Sequence, residues 1–221
     1  MSGKRSYDDP CGVARALDLI GERWALLVVR ELLLGPKRFS DLSRGLPGMS
    51  QNVLSQRLRE LEQAGILRRR RLGPPAGTAG YELTALGDRL DPVLLTLAGW
   101  GSRLPIDSAA ELSVDALVLA LRSTFDPAAA TGLGAHYALR IADDLLHAEI
   151  RHGRFTVARG SSPSTVDTTL TTDPTTLRQL VFAARPLTEA LHTGAAHLDG
   201  NLPAAEHFLT CFPRPTPSPT T

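Results

Sequence analysis

Several side chains in the first half of the chain have the chemistry needed to hydrogen-bond with the edges of DNA bases. Their spacing places them on one face of a helix, with Ser55 at its edge; they are Asn52, Gln56, Arg59 and Gln63. Amide side chains offer the paired donor and acceptor that matches adenine in the major groove, and arginine matches guanine. A plain polar helix surface explains this face alone equally well.

The run Arg68–Arg71 follows this helix almost at once. Ile66 and Leu67 begin a strand that the arginines continue, a Gly/Pro-rich loop comes next, and YELT forms a returning strand. Arginines on such a hairpin neutralise DNA phosphates and add affinity that does not depend on base sequence. When the run is considered by itself, the alternative explanation is that the arginines are merely solvated and have no DNA-binding role. The order of helix, short helix, amide-faced helix and basic hairpin favours a winged helix-turn-helix.

Three earlier segments must position the amide-faced helix. Val13, Leu17 and Ile20 are spaced for one face of a first helix. The run WALLVVRELLLG, with Leu27 among its apolar residues, predicts a buried helix that ends at Gly35-Pro36. The segment FSDLSRGLPG predicts a short helix capped by Ser40.

A further apolar helix is predicted after the hairpin, where leucines recur at helical spacing from Leu86 to Leu97. Thr84 can cap this helix, and Pro92 would kink it unless the helix begins nearer Asp91. Because a small DNA-binding domain has little core to offer, we infer that this helix packs against its counterpart in a twofold homodimer, with help from the first helix. Burial against a second domain is the alternative.

The first half closely resembles the HxlR-type transcriptional regulators in the stretch CGVARALDLIGERWALLVVRELLLGPKRFSDLSRGLPGMSQNVLSQRLRELEQAGILRRRR, and then in YELTALGDRL and LLTLAGWG. The resemblance implies a homodimeric regulator that binds pseudo-palindromic operators in double-stranded DNA. It also implies a recognition helix at about Ser50–Ala64 and a wing at about Leu67–Leu83. Small departures occur at Gly12, where proline is usual, at Glu22, and in a long, proline-rich wing loop.

The predicted DNA contacts divide into base contacts and backbone contacts. Asn52, Gln56 and Arg59 are assigned to base edges, and the start of the helix suits caps and phosphates. The arginine run and the loop around Thr78 are assigned to the backbone or the minor groove. The full set is Ser50, Gln51, Asn52, Ser55, Gln56, Arg59, Arg68, Arg69, Arg70, Arg71 and Thr78.

Cys11 occupies the position at which redox-sensing or electrophile-sensing members of that family carry a cysteine, so the resemblance implies a redox role. The neighbouring residues include no lysine or histidine that would activate the thiol, and Arg15 lies one helical turn away. The alternative is a small residue packed under the first helix.

The two halves differ in charge. Residues 1–105 carry 16 Lys and Arg against 11 Asp and Glu, whereas residues 106–221 carry 8 against 12 and hold all six histidines. This asymmetry predicts two domains with different partners. We expect a winged helix-turn-helix DNA-binding and dimerisation domain at 1–108, an α+β domain at 109–213, and a proline-rich disordered tail at 214–221.

The second half predicts a small, mainly antiparallel sheet with helices against one face, which makes the whole chain α+β. The stretch TLTTDPTTLRQLVFAARPLTEALHTGAAHLDGNLPAAEHFLTCF resembles the C-terminal part of the sterol carrier protein family, whose members enclose a lipophilic tunnel. That resemblance implies an apolar small-molecule ligand, which could bias DNA affinity. A solid accessory or dimerisation domain would show the same sequence pattern.

The sequence lacks the motifs of common enzymes and metal sites: HExxH, paired CxxC, GxSxG and a Gly-rich phosphate loop followed by lysine. We therefore expect no enzyme activity, no cofactor and no metal. No apolar run approaches the roughly 20 residues needed to span a bilayer, and the N-terminus lacks the apolar core of a signal peptide. These features predict a cytoplasmic protein without a membrane partner.

Together these patterns favour a homodimeric HxlR-type transcriptional regulator, more a repressor than an activator. The alternative function is a lipid or small-molecule carrier in which the N-terminal half only dimerises.

Overall fold

A computed structural model describes residues 6–73, 79–105, 110–160 and 166–216. The chain forms two compact units, one that ends at Leu94 and one that begins at Leu95. The α+β class predicted from the sequence is confirmed. The domain boundary expected between residues 108 and 109 and most of the expected tail, residues 217–221, lie outside the described residues.

The first unit consists of short helices around a three-stranded antiparallel sheet. Its elements are α1 (Gly12–Ile20), α2 (Ala25–Leu32), β1 (Lys37–Arg38), α3 (Phe39–Gly45), α4 (Gln51–Gln63), β2 (Leu67–Arg71), β3 (Ala79–Leu83) and α5 (Ala85–Asp88). The strand order is β1-β3-β2. A further helix, α6 (Asp91–Gly101), begins in this unit and runs past its boundary.

Local signals in the sequence set the ends of α4. The side chain of Ser50 accepts a hydrogen bond from the backbone N–H of Val53 at 3.3 Å, which satisfies one of the free donors at the start of the helix. At the other end Gly65 adopts φ +70°, a left-handed conformation that glycine tolerates best. The predicted recognition helix at Ser50–Ala64 is therefore confirmed as a helix, with Ser50 and Ala64 as its caps.

Three sequence expectations about the first unit need correction. Ser40 does not cap α3: Arg38 occupies the cap position, and the carboxylate of Asp41 accepts a hydrogen bond from its backbone N–H at 3.2 Å. Thr84 caps only the four-residue α5, whereas the alternative that a helix begins at Asp91 is confirmed: α6 begins there and holds Pro92 in its first turn, where proline is tolerated. In α2, Leu27 is 38% exposed instead of buried.

The second unit is built on a five-stranded sheet. After α7 (Val114–Thr124) come β4 (Ala135–Ile141), β5 (Asp144–Arg151), β6 (Arg154–Arg159), β7 (Thr168–Thr172), α8 (Pro174–Phe182), α9 (Leu187–His192), β8 (Ala196–Gly200) and α10 (Leu202–Thr210). The order is β6-β5-β4-β7-β8, and within the described residues β4 and β7 pair in parallel while the other neighbours are antiparallel. The small, mainly antiparallel sheet predicted for this half is confirmed.

A hairpin turn and a helix start in this unit follow from local sequence signals. His152 and Gly153 adopt φ of +51° and +69° between β5 and β6, the signs that a two-residue hairpin turn of type I′ requires. Asp173 caps α8 by accepting a hydrogen bond from the backbone N–H of Thr176 at 2.9 Å, and Pro174 follows it in the first turn.

A cluster of aromatic rings lies in the core of this unit. Tyr137 and Phe208 pack with ring centroids 4.5 Å apart, and Phe212 lies 5.1 Å from Phe208 and 5.0 Å from Phe155. Phe125 completes the cluster at 5.5 Å from Phe155. These spacings are those of directly packed rings, so side chains fill this part of the interior.

None of the helices in the described part of the chain combines the length and apolar character that crossing a membrane requires.

Candidate nucleic-acid interface

The residues assigned to base contacts lie together on the exposed face of α4. Leu54, Leu58 and Leu61 are each 1% exposed and fix the opposite face in the core. The remaining face is therefore held towards solvent; its exposed residues are Gln51, Asn52, Gln56, Arg59 and Gln63, with Ser55 partly exposed at the edge. Arg59 is the only cation on this exposed face, and it forms no ion pair with any other described residue.

A carboxylate on the same helix orients one of these amides. The Nε2 of Gln56 donates a hydrogen bond to Oε1 of Glu60 at 3.0 Å, and the amide oxygen of Gln56 takes no part in that bond. The second oxygen of Glu60 lies 2.5 Å from Nη1 of Arg57, whose side chain is buried and also lies 3.6 Å from Glu22. Arg57 thus belongs to the support of the helix, on the side of the leucines, whereas Arg59 lies on the exposed face.

The four arginines of the wing alternate between the two sides of the hairpin. All four are exposed, and β2 pairs with β3 so that Arg68 faces Glu82, Arg69 faces Tyr81 and Arg70 faces Gly80. The guanidinium of Arg69 lies 6.0 Å from the centre of the Tyr81 ring.

The two sides of the hairpin provide different partners for the arginines. Arg69 lies 3.4 Å from the carboxylate of Glu62 near the end of α4, whereas Arg71 has no carboxylate partner among residues that the structure describes. The hairpin predicted at Leu67–Leu83 is thereby confirmed, and its charge is divided between two sides.

Glu82 is a part of this surface that helical spacing and charge counting do not find. Its Oε1 accepts from Nε of Arg68 and its Oε2 from Nη1 of Arg70, both at 2.7 Å. The hydrogen bond from Arg70 is the largest cause that lowers the pKa of this carboxyl below its ordinary value, so the group is ionised at neutral pH. Cross-strand register, with Glu82 directly opposite Arg68, is the signal that could have identified the pair.

The strands beneath the wing are closely packed. A Cβ on Gly80 would lie 2.5 Å from Cδ1 of Leu72 and 3.0 Å from the carbonyl oxygen of Lys37, so a larger residue in this central strand would require the Leu72 side chain to move. On the neighbouring strand, Nζ of Lys37 lies 2.8 Å from the fully buried carboxylate of Glu31, which Arg30 also contacts at 2.9 Å. This charged cluster ties β1 to α2.

Two predicted site residues lie outside the surface formed by α4 and the wing strands. Thr78 is not among the described residues. Cys11 is exposed directly before α1, and its backbone N–H donates to Asp9 at 2.8 Å, so the alternative of packing under the first helix is wrong for the single chain. Cys211 is buried, and this burial raises the pKa of its thiol to about 11.

Large apolar side chains remain exposed on several helices. In the first unit they lie on α1, α2, α5 and the start of α6, and in the second unit on the rest of α6. The set consists of Val13, Leu17, Leu19, Leu27, Leu86, Val93, Leu97 and Trp100, with exposed fractions from 38% to 68%. A helix that leaves such residues in water has an unburied apolar face.

The histidines of the second unit do not assemble a reactive site. Nε2 of His207 lies 2.8 Å from the carbonyl oxygen of Ala129, which is an ordinary structural hydrogen bond. On β5, burial lowers the pKa of His147, and its Nε2 is buried without a hydrogen-bond partner among the described residues. No group of three or more His, Cys, Asp or Glu side chains in the described ranges is arranged to hold a metal ion.

Two known families match the two halves of the chain, and their matches meet where the net charge of the sequence changes from positive to negative. A family model described as HxlR-like helix-turn-helix matches residues 19–107, and one described as alkyl sulfatase C-terminal matches residues 104–218. For the second half, the matching description is thus that of an alkyl sulfatase domain and not of a sterol carrier protein.

The similar proteins match one half each. The HTH-type transcriptional regulator YkvN of Bacillus subtilis is 40% identical over 91 residues, which cover 41% of this chain and 77% of that protein. A solved structure of reduced YodB, a transcriptional regulator of the same organism, is 36% identical with a TM-score of 0.38, over 42% of this chain and 92% of that one. The inverting sec-alkylsulfatase Pisa1 from Pseudomonas sp. is 22% identical with a TM-score of 0.46, over 50% of this chain and 18% of that one.

Proposed function

We propose that this chain, which belongs to the HxlR-like helix-turn-helix family and carries a second half of the alkyl sulfatase C-terminal family, is a transcriptional regulator that reads duplex DNA with α4 and grips it with the β2–β3 wing. One observation carries the proposal. The exposed face of α4 has amides and a single arginine, and the exposed arginines lie on the adjoining hairpin.

The proposed contacts divide sequence recognition from affinity. Asn52, Gln56 and Arg59 reach base edges in the major groove, where amide and guanidinium groups discriminate between base pairs. Ser50 and Gln51, at the start of α4, and Ser55 at its edge contact phosphates. The arginines Arg68, Arg69, Arg70 and Arg71, with Thr78 in the loop, contact the DNA backbone or the minor groove.

We propose that the regulator acts as a homodimer on a pseudo-palindromic operator. The exposed apolar residues of α1, α5 and α6 support this, since a second copy of the chain can bury them. A twofold dimer would place two α4 helices in successive major grooves, roughly 34–36 Å apart. Repression is the proposed outcome, because a dimer that covers its operator blocks other proteins by occupancy alone, and the proposed site of action is the cytoplasm.

An apolar small molecule bound by the second unit is the proposed modulator. The aromatic cluster of Phe125, Tyr137, Phe155, Phe208 and Phe212 makes the interior of this unit apolar, but its rings pack directly on one another, so a ligand there has to displace rings. A carrier whose N-terminal half only dimerises is the competing function. Native mass spectrometry of the purified chain tests whether the second unit binds such a ligand. A co-purified apolar small molecule supports ligand binding, and protein without any bound molecule after growth with added fatty acids or sterols opposes it.

A gel-shift experiment separates the regulator from the carrier. The duplex is the intergenic region beside the chain's own gene, and random duplex of the same length and composition is the control, at ~0.15 M salt, where sequence-independent binding is weak. A regulator shifts the intergenic DNA at protein concentrations roughly 10³-fold or more below those needed for random DNA. Equal affinity for the two duplexes would refute the proposed function.

A further inference from the structure

The proposed DNA surface contains its own carboxylates. Glu60 binds Gln56, Glu62 lies 3.4 Å from Arg69, and Glu82 binds two arginines at once. The wing therefore does not present four unpaired positive charges, because Glu82 and Glu62 offset part of them before any DNA arrives.

Glu82 differs from the other two carboxylates in how firmly it is held. Its side chain is 13% exposed, compared with 33% for Glu62 and 41% for Glu60, and both of its oxygens are engaged by charge-assisted hydrogen bonds. It also lies in the middle of a strand, opposite Arg68 in register. Glu62 can turn aside into solvent when a phosphate approaches, whereas Glu82 stays between the two guanidinium groups.

This position has two opposite electrostatic consequences for DNA. Arg68 and Arg70 each give Glu82 one N–H, which leaves further donors on each guanidinium for phosphates. The negative charge of Glu82, however, offsets part of the positive charge of these two guanidinium groups and so reduces the number of counterions that they can displace from DNA. The effect acts on the backbone and so is the same for every base sequence.

We infer that Glu82 is a positioning residue that sets the sequence-independent part of DNA affinity, by holding Arg68 and Arg70 in a charge-reduced pair on the wing. The inference rests on the proposed function and adds to it. Glu82 keeps binding to random DNA weak and so shortens the stay of the protein at random sites, while the preference between sites comes from the base contacts of α4.

The test compares two neutral variants with a matched charge control. Glu82→Gln keeps the shape of the side chain, and Glu82→Thr removes the carboxylate with a residue that strands favour. Asp88→Asn makes the same charge change at an exposed residue of α5, outside the two wing strands and without an ion pair to a described arginine of the wing. Each full-length chain is measured by fluorescence anisotropy on random duplex between ~50 and ~200 mM salt, and by its elution salt from a heparin column.

We expect both Glu82 variants to bind random duplex roughly three- to tenfold more tightly at ~50 mM salt, and their salt dependence to steepen by about one phosphate contact. Asp88→Asn should change affinity by less than about twofold, because Asp88 forms no ion pair with the described arginines of the wing. In a chain that already carries Arg68→Ala and Arg70→Ala, Glu82→Gln should give no gain beyond that control. The ratio of intergenic to random affinity should stay within about twofold, since a backbone effect is shared by both.

The other outcomes contradict the inference in different ways. An equal gain from Asp88→Asn, or a gain that persists without the two arginines, shows a general charge effect and overturns the role of Glu82. Unchanged affinity of both neutral variants, in a wild-type chain that binds DNA, overturns this inference alone. A wild-type chain that binds neither duplex nor heparin overturns the proposed function and this inference with it.

Discussion

Replacing Gln56 with alanine tests whether α4 reads bases or merely contacts the backbone. Gln56 is exposed and its leucine neighbours on α4 face the core, so the change leaves the packing intact, and stability should move by no more than ~0.5 kcal/mol. A good bidentate contact to a base contributes roughly 1–3 kcal/mol of discrimination. In the free chain, however, the Gln56 amide already donates to Glu60 at 3.0 Å, and that bond competes with the base. We therefore expect a loss in the lower part of that range, about 1–2 kcal/mol, or a fall of about 5- to 30-fold in operator affinity.

The assay is fluorescence anisotropy with a duplex that contains the protected intergenic site and with random duplex, at one fixed salt concentration. Gln63→Ala is the matched control, because Gln63 is exposed on the same helix but lies at its end, outside the predicted set of contacts. Random-duplex affinity should be unchanged in both variants. Equal losses on the two duplexes, or an equal loss from Gln63→Ala, would refute the assignment of Gln56 to base edges.

Three further predictions concern the wing, the dimer and the cysteines. Arg69→Ala should weaken binding to operator and to random DNA by the same factor and reduce the slope of log affinity against log salt concentration by about 0.9. Titrations at several salt concentrations will show this, and a loss of affinity for the operator alone would contradict the backbone role. Val93→Glu should halve the molar mass measured by light scattering while the circular dichroism spectrum is kept, because Val93 is 48% exposed in the single chain; an unchanged mass would place the dimer contact elsewhere. At pH 8, iodoacetamide should modify Cys11 readily and leave Cys211 intact until the chain is unfolded, because Cys211 is buried and its pKa is raised to about 11. Peptide mass mapping will show which thiol reacts, and alkylation of Cys211 in the folded chain would contradict that burial. If oxidation of Cys11 regulates the protein, alkylation of the Cys11 thiol should change operator affinity. The Cys11→Ser substitution alone should not change it.

Elements defined by local sequence signals were predictable. The ends of α4 follow from the cap at Ser50 and the left-handed Gly65, and its buried face from the spacing of Leu54 and Leu58. The second unit's hairpin at His152 was likewise visible in the sequence, because strand alternation and the turn residues agree.

Features that depend on side chains meeting across elements were not predictable. The expected cap at Ser40 is wrong because Arg38 belongs to a two-residue strand whose pairing with β3 fixes where α3 begins, and pairing with a distant strand leaves no local trace. Glu82 and Glu60 were missed for the same reason: a charge count treats them as ordinary acids, whereas register and helix geometry place them against the residues of the DNA surface. Exposure of Leu27 is equally invisible to apolar spacing, which shows that a residue is apolar but not what covers it.

On the proposed function, these paired charges bear on how tightly the protein holds random DNA, and not on its preference between sites. A genome offers a great excess of random sites, so occupancy of the operator depends on the ratio of specific to non-specific affinity. Unpaired arginines raise the affinity for every site by the same factor, which leaves that ratio unchanged and lengthens the stay of the protein on random DNA. A wing in which Glu82 restrains Arg68 and Arg70, beside a helix face that offers Gln56 and Arg59, assigns more of the total binding energy to base contacts. The formal net charge of +1 is consistent with that division, because sequence-independent attraction to DNA scales with the charge that a protein brings to the phosphates.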